Sequence, residues 1–148
     1  MPSGRVHSAT SAALAGLLYY LADRAGLPAA PLAGGCLAGI MLTPDLDVDG
    51  MTRSDTHARR LGGLVLALPW YMIWRPYAFM IPHRSPLSHW PLLGTALRLV
   101  YLGGLLAIIA RLVGMQIILP LWWPWAVAGL AVSDLAHFVL DKTVRIKI

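Results

Sequence analysis

The chain has 148 residues, enough for one domain, and 57% of them are apolar with a mean hydropathy of +0.64, well above the apolar share of an ordinary soluble domain. Only 13% are charged, none is glutamate, and the charges gather in the gaps between apolar runs, the distribution expected of an all-α membrane bundle whose solvent is lipid. The net charge of +5 does not amount to a nucleic-acid surface, because hydrophobic segments separate the group Arg53, Arg59 and Arg60 from Arg75, and Arg75 from Arg84, so that they form no continuous stripe.

A bilayer core of roughly 30 Å asks for roughly 20 helical residues, fewer where the protein is thin. The first apolar run, Ser8 to Leu21, follows a lone Arg5 and lacks a clear small-x-small cleavage site, so it reads as a retained helix. Asp23-Arg24-Ala-Gly-Leu-Pro then closes a tight helical hairpin. In the second run, Ala29 to Leu42, Gly34, Gly35, Ala38 and Gly39 allow another helix to approach closely. Cys36, the single cysteine, has no internal disulfide partner and reads as a small buried residue.

The run Leu61 to Trp74 carries Pro69 and is followed by Arg75 and Pro76, which predicts an interfacial or re-entrant segment. Leu92 to Val113 and Ile117 to Val139 are longer and separated by Gly114. Trp122, Trp123 and Trp125 suit an aromatic belt at headgroup level or, alternatively, core packing. No repeat, linker or low-complexity tract divides residues 1–148. The expectation is a single all-α domain, a small polytopic bundle of about four spanning helices plus one interfacial or re-entrant segment.

Ionisable groups at the ends of membrane helices are costly to bury and are functional candidates for that reason. They fall in four clusters: His7; Asp45, Asp47 and Asp49; His83 and His89; and Ser133, Asp134, His137 and Asp141. Asp134, His137 and Asp141 are related by i+3 and i+4 steps and share a helix face. Imidazole and carboxylate donors suit Zn, Mn or Fe, and the lack of paired cysteines argues against a structural thiolate zinc. Alone, Asp-x-x-His equally suits a polar helix end meeting water. Pro86, between His83 and His89, favours a loop or helix start that presents both rings. Each of these histidines, and Asp45 with Asp47 after Pro44, is as readily explained singly as an interfacial polar group.

Parity joins the clusters. If the first, second, fourth and fifth runs each cross once, His7, Asp45, His83, His89, His137 and Asp141 all arrive at one face, provided residues 61–81 do not cross. That face also collects Arg5, Arg53, Arg59, Arg60, Arg75, Arg84, Lys142, Arg145 and Lys147, against Arg24 and Arg111 opposite, so the positive-inside rule makes it cytoplasmic.

Four stretches carry a resemblance: Met-Pro-Ser-Gly-Arg-Val-His at 1–7, Met-Leu-Thr-Pro-Asp-Leu-Asp at 41–47, Pro-His-Arg-Ser-Pro-Leu-Ser-His at 82–89, and Asp-Leu-Ala-His-Phe-Val-Leu-Asp at 134–141. With these the chain resembles, over its whole length, a family of bacterial membrane proteins of unknown function described as predicted metal-binding and frequent in cyanobacteria. More distantly it is similar to inner-membrane metal-dependent hydrolases and to the helical zinc-dependent phospholipase C and nuclease group. The resemblance implies His7, Asp45, His83, His89, His137 and Asp141 as ligands, with Asp47 an additional one, and a location in a bacterial plasma or thylakoid membrane. Trp90 departs from the small residue expected after the second histidine and predicts crowding there.

The leading functional expectation is a metal-dependent hydrolase acting on a phosphoester of a lipid or other amphiphile, with zinc first among the divalent ions and Mn or Fe as alternatives. Arg84 would meet the phosphate, Asp134 would orient a histidine, and Ser85 or Ser88 would more readily cap a helix than act as nucleophile. The alternative is a non-catalytic protein in which the metal staples loops to a thin bundle. A transporter ranks last, since Leu92 to Val113 offers only Arg98 and Arg111 as ionisable groups.

Overall fold

The structure, a computed structural model, describes residues 4–48, 50–83 and 85–145, with side chains through residue 143. Six α-helices and one 3-10 turn follow in chain order, and the described residues contain no strand: α1 (Gly4–Arg24), α2 (Ala29–Ala38), the turn Pro44–Asp47, α3 (Arg53–Met80), α4 (Pro86–His89), α5 (Pro91–Leu112) and α6 (Trp123–Arg145). The all-α expectation is therefore met. Among the described residues, two helical stretches, Pro91–Leu112 and Trp123–Thr143, are long and apolar enough to cross a bilayer. The 10 residues of α2 rise only about 15 Å, and the first two turns of α1 are diluted by Arg5, His7, Ser8, Thr10 and Ser11.

The hairpin between α1 and α2 forms as expected. Gly26 takes a left-handed φ of 68° and the Leu27 N–H donates to the Ala22 carbonyl at 2.9 Å, closing the end of α1. Glycine then lets α2 and α6 touch backbone to backbone. A Cβ on Gly35 would lie 1.8 Å from the Ala126 carbonyl oxygen, and one on Gly129 would lie 1.9 Å from that of Leu32. Gly39 faces the Ser133 side chain in the same way, whereas Gly34 faces open space. Cys36 is fully buried with Ala15 and Ala33, and its thiol donates to the Ser11 carbonyl at 3.5 Å. The Ser11 and Ser133 hydroxyls pair at 2.8 Å, tying α1 to α6.

Helix α3 departs most from the expected pattern. It begins at a capping box, with the Asp55 N–H donating to Thr52 Oγ1 at 3.3 Å and the Thr52 N–H to Asp55 Oδ2 at 2.6 Å. It continues through Pro69 and Pro76 but breaks at Gly62 and Gly63, where φ 60° and ψ −147° at Gly63 lie in territory open to glycine. The break folds the second half back on the first, so that Trp70 Nε1 donates to Ser54 Oγ at 2.8 Å. Ser54 Oγ in turn donates to the Met41 carbonyl at 2.7 Å, fixing the fold-back to the end of the α2 segment. Trp74 and Tyr77 bury Leu46 of the 3-10 turn and pack against Tyr101 of α5.

The last apolar run also differs. Residues 115–120 are not helical, and α6 starts at Trp123 instead of Ile117. Pro120 disfavours helix at the residue before it, while Pro124 is tolerated in a first turn where its missing N–H has no partner to lose. Trp122 and Trp123 are 52% and 43% exposed, so they lie outside the core.

The consequence of this order is that the first turns of α1, the turn after α2, the α4–α5 junction and the last turns of α6 meet at one end of the bundle. The flanks remain apolar and uncovered. Phe79 and Leu121 are 94% and 98% exposed, as they would be if hydrocarbon were their solvent.

Candidate metal centre

His137 and Asp141, one turn apart near the end of α6, form the centre of the shared end. His137 Nε2 lies 3.5 Å from Asp141 Oδ2, and 3.6 Å from Asp45 Oδ1 on the 3-10 turn. His7 enters from α1 with its ring stacked on that of His137, centroids 3.8 Å apart and planes within 10°. Its Nε2 lies 3.2 Å from Asp141 Oδ1, and its Nδ1 is buried without a hydrogen-bond partner. From the other side, His89 Nε2 lies 3.6 Å from Asp45 Oδ1.

Among the described residues, two groups of three donors are close enough to share an ion: His7, His137 and Asp141, and Asp45, His89 and His137. Separations of 3.5–3.6 Å are too long for good hydrogen bonds. They match the roughly 3.3–3.4 Å between neighbouring donors of a tetrahedral ion held at about 2.0–2.1 Å. With the orphaned His7 Nδ1, this spacing and the all-nitrogen-and-oxygen donor set fit a divalent cation. His137 belongs to both groups, so the two share a wall.

Asp47 and His83 complete the cluster at its edge. The Asp47 carboxylate is wholly buried, accepts from His83 Nδ1 at 2.8 Å, and lies 3.5 Å from His89 Nδ1. A carboxylate on Nδ1 fixes the tautomer that leaves Nε2 free to bind, which is how histidine ligands are commonly oriented. Pro86 occupies the first turn of α4 and Ser85 its N-cap, so the short helix delivers His89 at its end. Trp90 turns outward, 61% exposed, and does not crowd the site.

Beneath this cluster lies a buried polar layer. Asp134 accepts hydrogen bonds from Arg98 and from Thr95, both on α5. Arg98 Nη1 also donates to the Ser88 carbonyl at 3.2 Å, and Ser88 Oγ pairs with His89 Nδ1 at 2.9 Å. Asp134 shares the α6 face expected of it but reaches His89 only through Arg98 and Ser88. Gly94 permits the contact, since a Cβ there would lie 2.1 Å from the Ser88 carbonyl oxygen.

The Asp45 carboxyl is held far below the ordinary carboxylate range: burial opposes ionisation, and the imidazoles of His137 and His89 outweigh it. Arg84 and Asp49 lie outside the described residues. His57, on α3, belongs to neither donor group among the described residues. Sequence patterning did not point to Arg53, which lines a cavity of about 20 Å³ with Gly4, His7, Thr43, Asp45 and His137. The basic residue's position at the start of a capped helix, just after the aspartate cluster, was the only available signal.

No curated protein and no solved structure shows significant similarity to the chain. A family profile does match, over residues 2–146. The chain belongs to the family described as "Uncharacterized metal-binding protein (DUF2227)".

Proposed function

We propose that this protein is a membrane-embedded metal-dependent hydrolase that acts on a phosphoester or lipid-like substrate at the cytoplasmic face of a bacterial inner membrane. In this reading α1, α2, α5 and α6 cross the bilayer and the folded-back α3 lies at its surface. His7, Asp45, His89, His137 and Asp141 hold one or more divalent ions, zinc first, with His83 an added donor. Asp47 orients His83, and Asp134 acts on His89 through Arg98 and Ser88.

The observation that carries the reading is the spacing of donors from four separate elements around His137, at the end of two helices apolar enough to span a membrane. A bound divalent cation supplies Lewis acidity and an activated water near neutral pH. The chain's own part is to fix the donors and to keep the pocket small. It also places the site at a boundary where an amphiphile presents its headgroup and keeps its tail in lipid.

A structural role for the metal has one observation in its favour. Among the described residues the second core cluster has three fully buried members, Leu46, Trp74 and Tyr77, a small core that a bound ion would reinforce where the turn joins the bundle. One experiment separates the two. Detergent-purified protein loaded with Zn, Mn or Fe is assayed on phosphomonoester and phosphodiester substrates before and after chelation, with helicity followed by circular dichroism. Metal-dependent turnover lost on chelation with the fold intact is the expected result. Unfolding on chelation, with no turnover in the loaded protein, would leave the staple.

A further inference from the structure

We infer that Arg53 is an anion-binding residue of this site, placed to grip a phosphoryl oxygen of the substrate beside the metal ligands; the inference rests on the hydrolase reading. Arg53 is the first residue of α3, and its side chain lies across Gly4, the first residue of α1. A Cβ on Gly4 would stand 2.4 Å from Arg53 Cδ and 3.0 Å from its Nε. The missing side chain at Gly4 is thus the slot that admits the guanidinium stem. Beyond it, Arg53 forms a wall of the cavity that His7, Asp45 and His137 also line.

Among the described residues no carboxylate lies within ion-pair distance of the Arg53 guanidinium, although Asp45 stands on the same cavity wall. The nearby carboxylates are engaged by histidines. An always-charged, partly exposed group beside donors suited to cations leaves the cavity deficient in negative charge once the donors are filled. The ligand that corrects this is an anion small enough for one oxygen to enter, and the planar fork of arginine matches phosphate in two-point fashion. Its source is either a lipid headgroup or a soluble phosphoester, both of which present the same oxyanion.

The test is binding, read apart from turnover. Metal-loaded protein in detergent is titrated calorimetrically with inorganic phosphate and with dihexanoyl phosphatidic acid, and metal content is measured in the same samples. Arg53→Met should retain full metal and bind phosphate about tenfold or more weakly, the loss of a charge-assisted contact. Arg53→Lys should recover part of the affinity, and Gly4→Ala, which fills the slot, should weaken it with the arginine still present. Tighter binding of the phosphatidic acid than of phosphate assigns the oxyanion to a lipid, and equal binding assigns it to a soluble ester. Arg53→Met with wild-type phosphate affinity and full metal overturns the inference alone. Metal-loaded wild type that binds neither probe overturns the phosphoester reading with it.

Discussion

Arg98 is 1% exposed, as is Asp134, and both sit in helices apolar enough for a membrane. An arginine so placed is tolerable because its two terminal nitrogens are taken by Asp134 and the Ser88 carbonyl, although its Nε is buried without a partner. The pair therefore has two consequences. It joins α5 to α6, and it holds the Ser88–His89 segment where His89 meets Asp45. Arg98→Met should leave a buried carboxylate without its cation, at a cost of about 3–5 kcal/mol, whereas the double change with Asp134→Leu should recover most of it. Thermal melts in detergent measure both, and an Arg98→Met melt equal to that of wild type contradicts the assignment. The i+3, i+4 spacing correctly put Asp134 on the face of His137 and Asp141. It could not distinguish a carboxylate facing the cluster from one facing a cation on the preceding helix. Arg53 and Ser88 were illegible for a similar reason, since each acquires its role only from what the fold brings beside it.

At the scale of elements, glycine position decides how closely α2 and α6 pack. Gly34 and Gly35 are neighbours in sequence and identical in composition, yet only Gly35 abuts the Ala126 backbone. Gly35→Ala should force the helices apart and destabilise the protein by about 1–3 kcal/mol. Gly34→Ala, in open space within a helix, should be neutral or slightly stabilising. Chemical denaturation of the two variants side by side is the check, and equal effects would contradict the close crossing. The glycine-rich run made this contact legible as a class without telling which glycine makes it. The long apolar helices were legible from run length alone. The fold-back of α3 was not, because nothing local to Gly62-Gly63 says that Trp70 will return to Ser54. Pro69 and Pro76 were part of the case for an interfacial or re-entrant segment, and the chain bends at the glycines and stays helical through both prolines.

Over the whole molecule, the polar and apolar residues are sorted along the bundle. Six histidine and aspartate side chains from α1, the 3-10 turn, α4 and α6, with His83 beside them, occupy one end. The flanks expose leucine, isoleucine and phenylalanine. The histidines and aspartates at that end are also the residues that four crossings of the apolar runs would bring to one face. The sorting agrees with membership of a metal-binding family. Elemental analysis of the detergent-purified wild type beside His89→Ala and His137→Ala, each checked for native helicity, bears on all of this at once. The account predicts stoichiometric divalent metal in the wild type, a partial loss in His89→Ala and near-complete loss in His137→Ala. Full metal in both folded variants would contradict it.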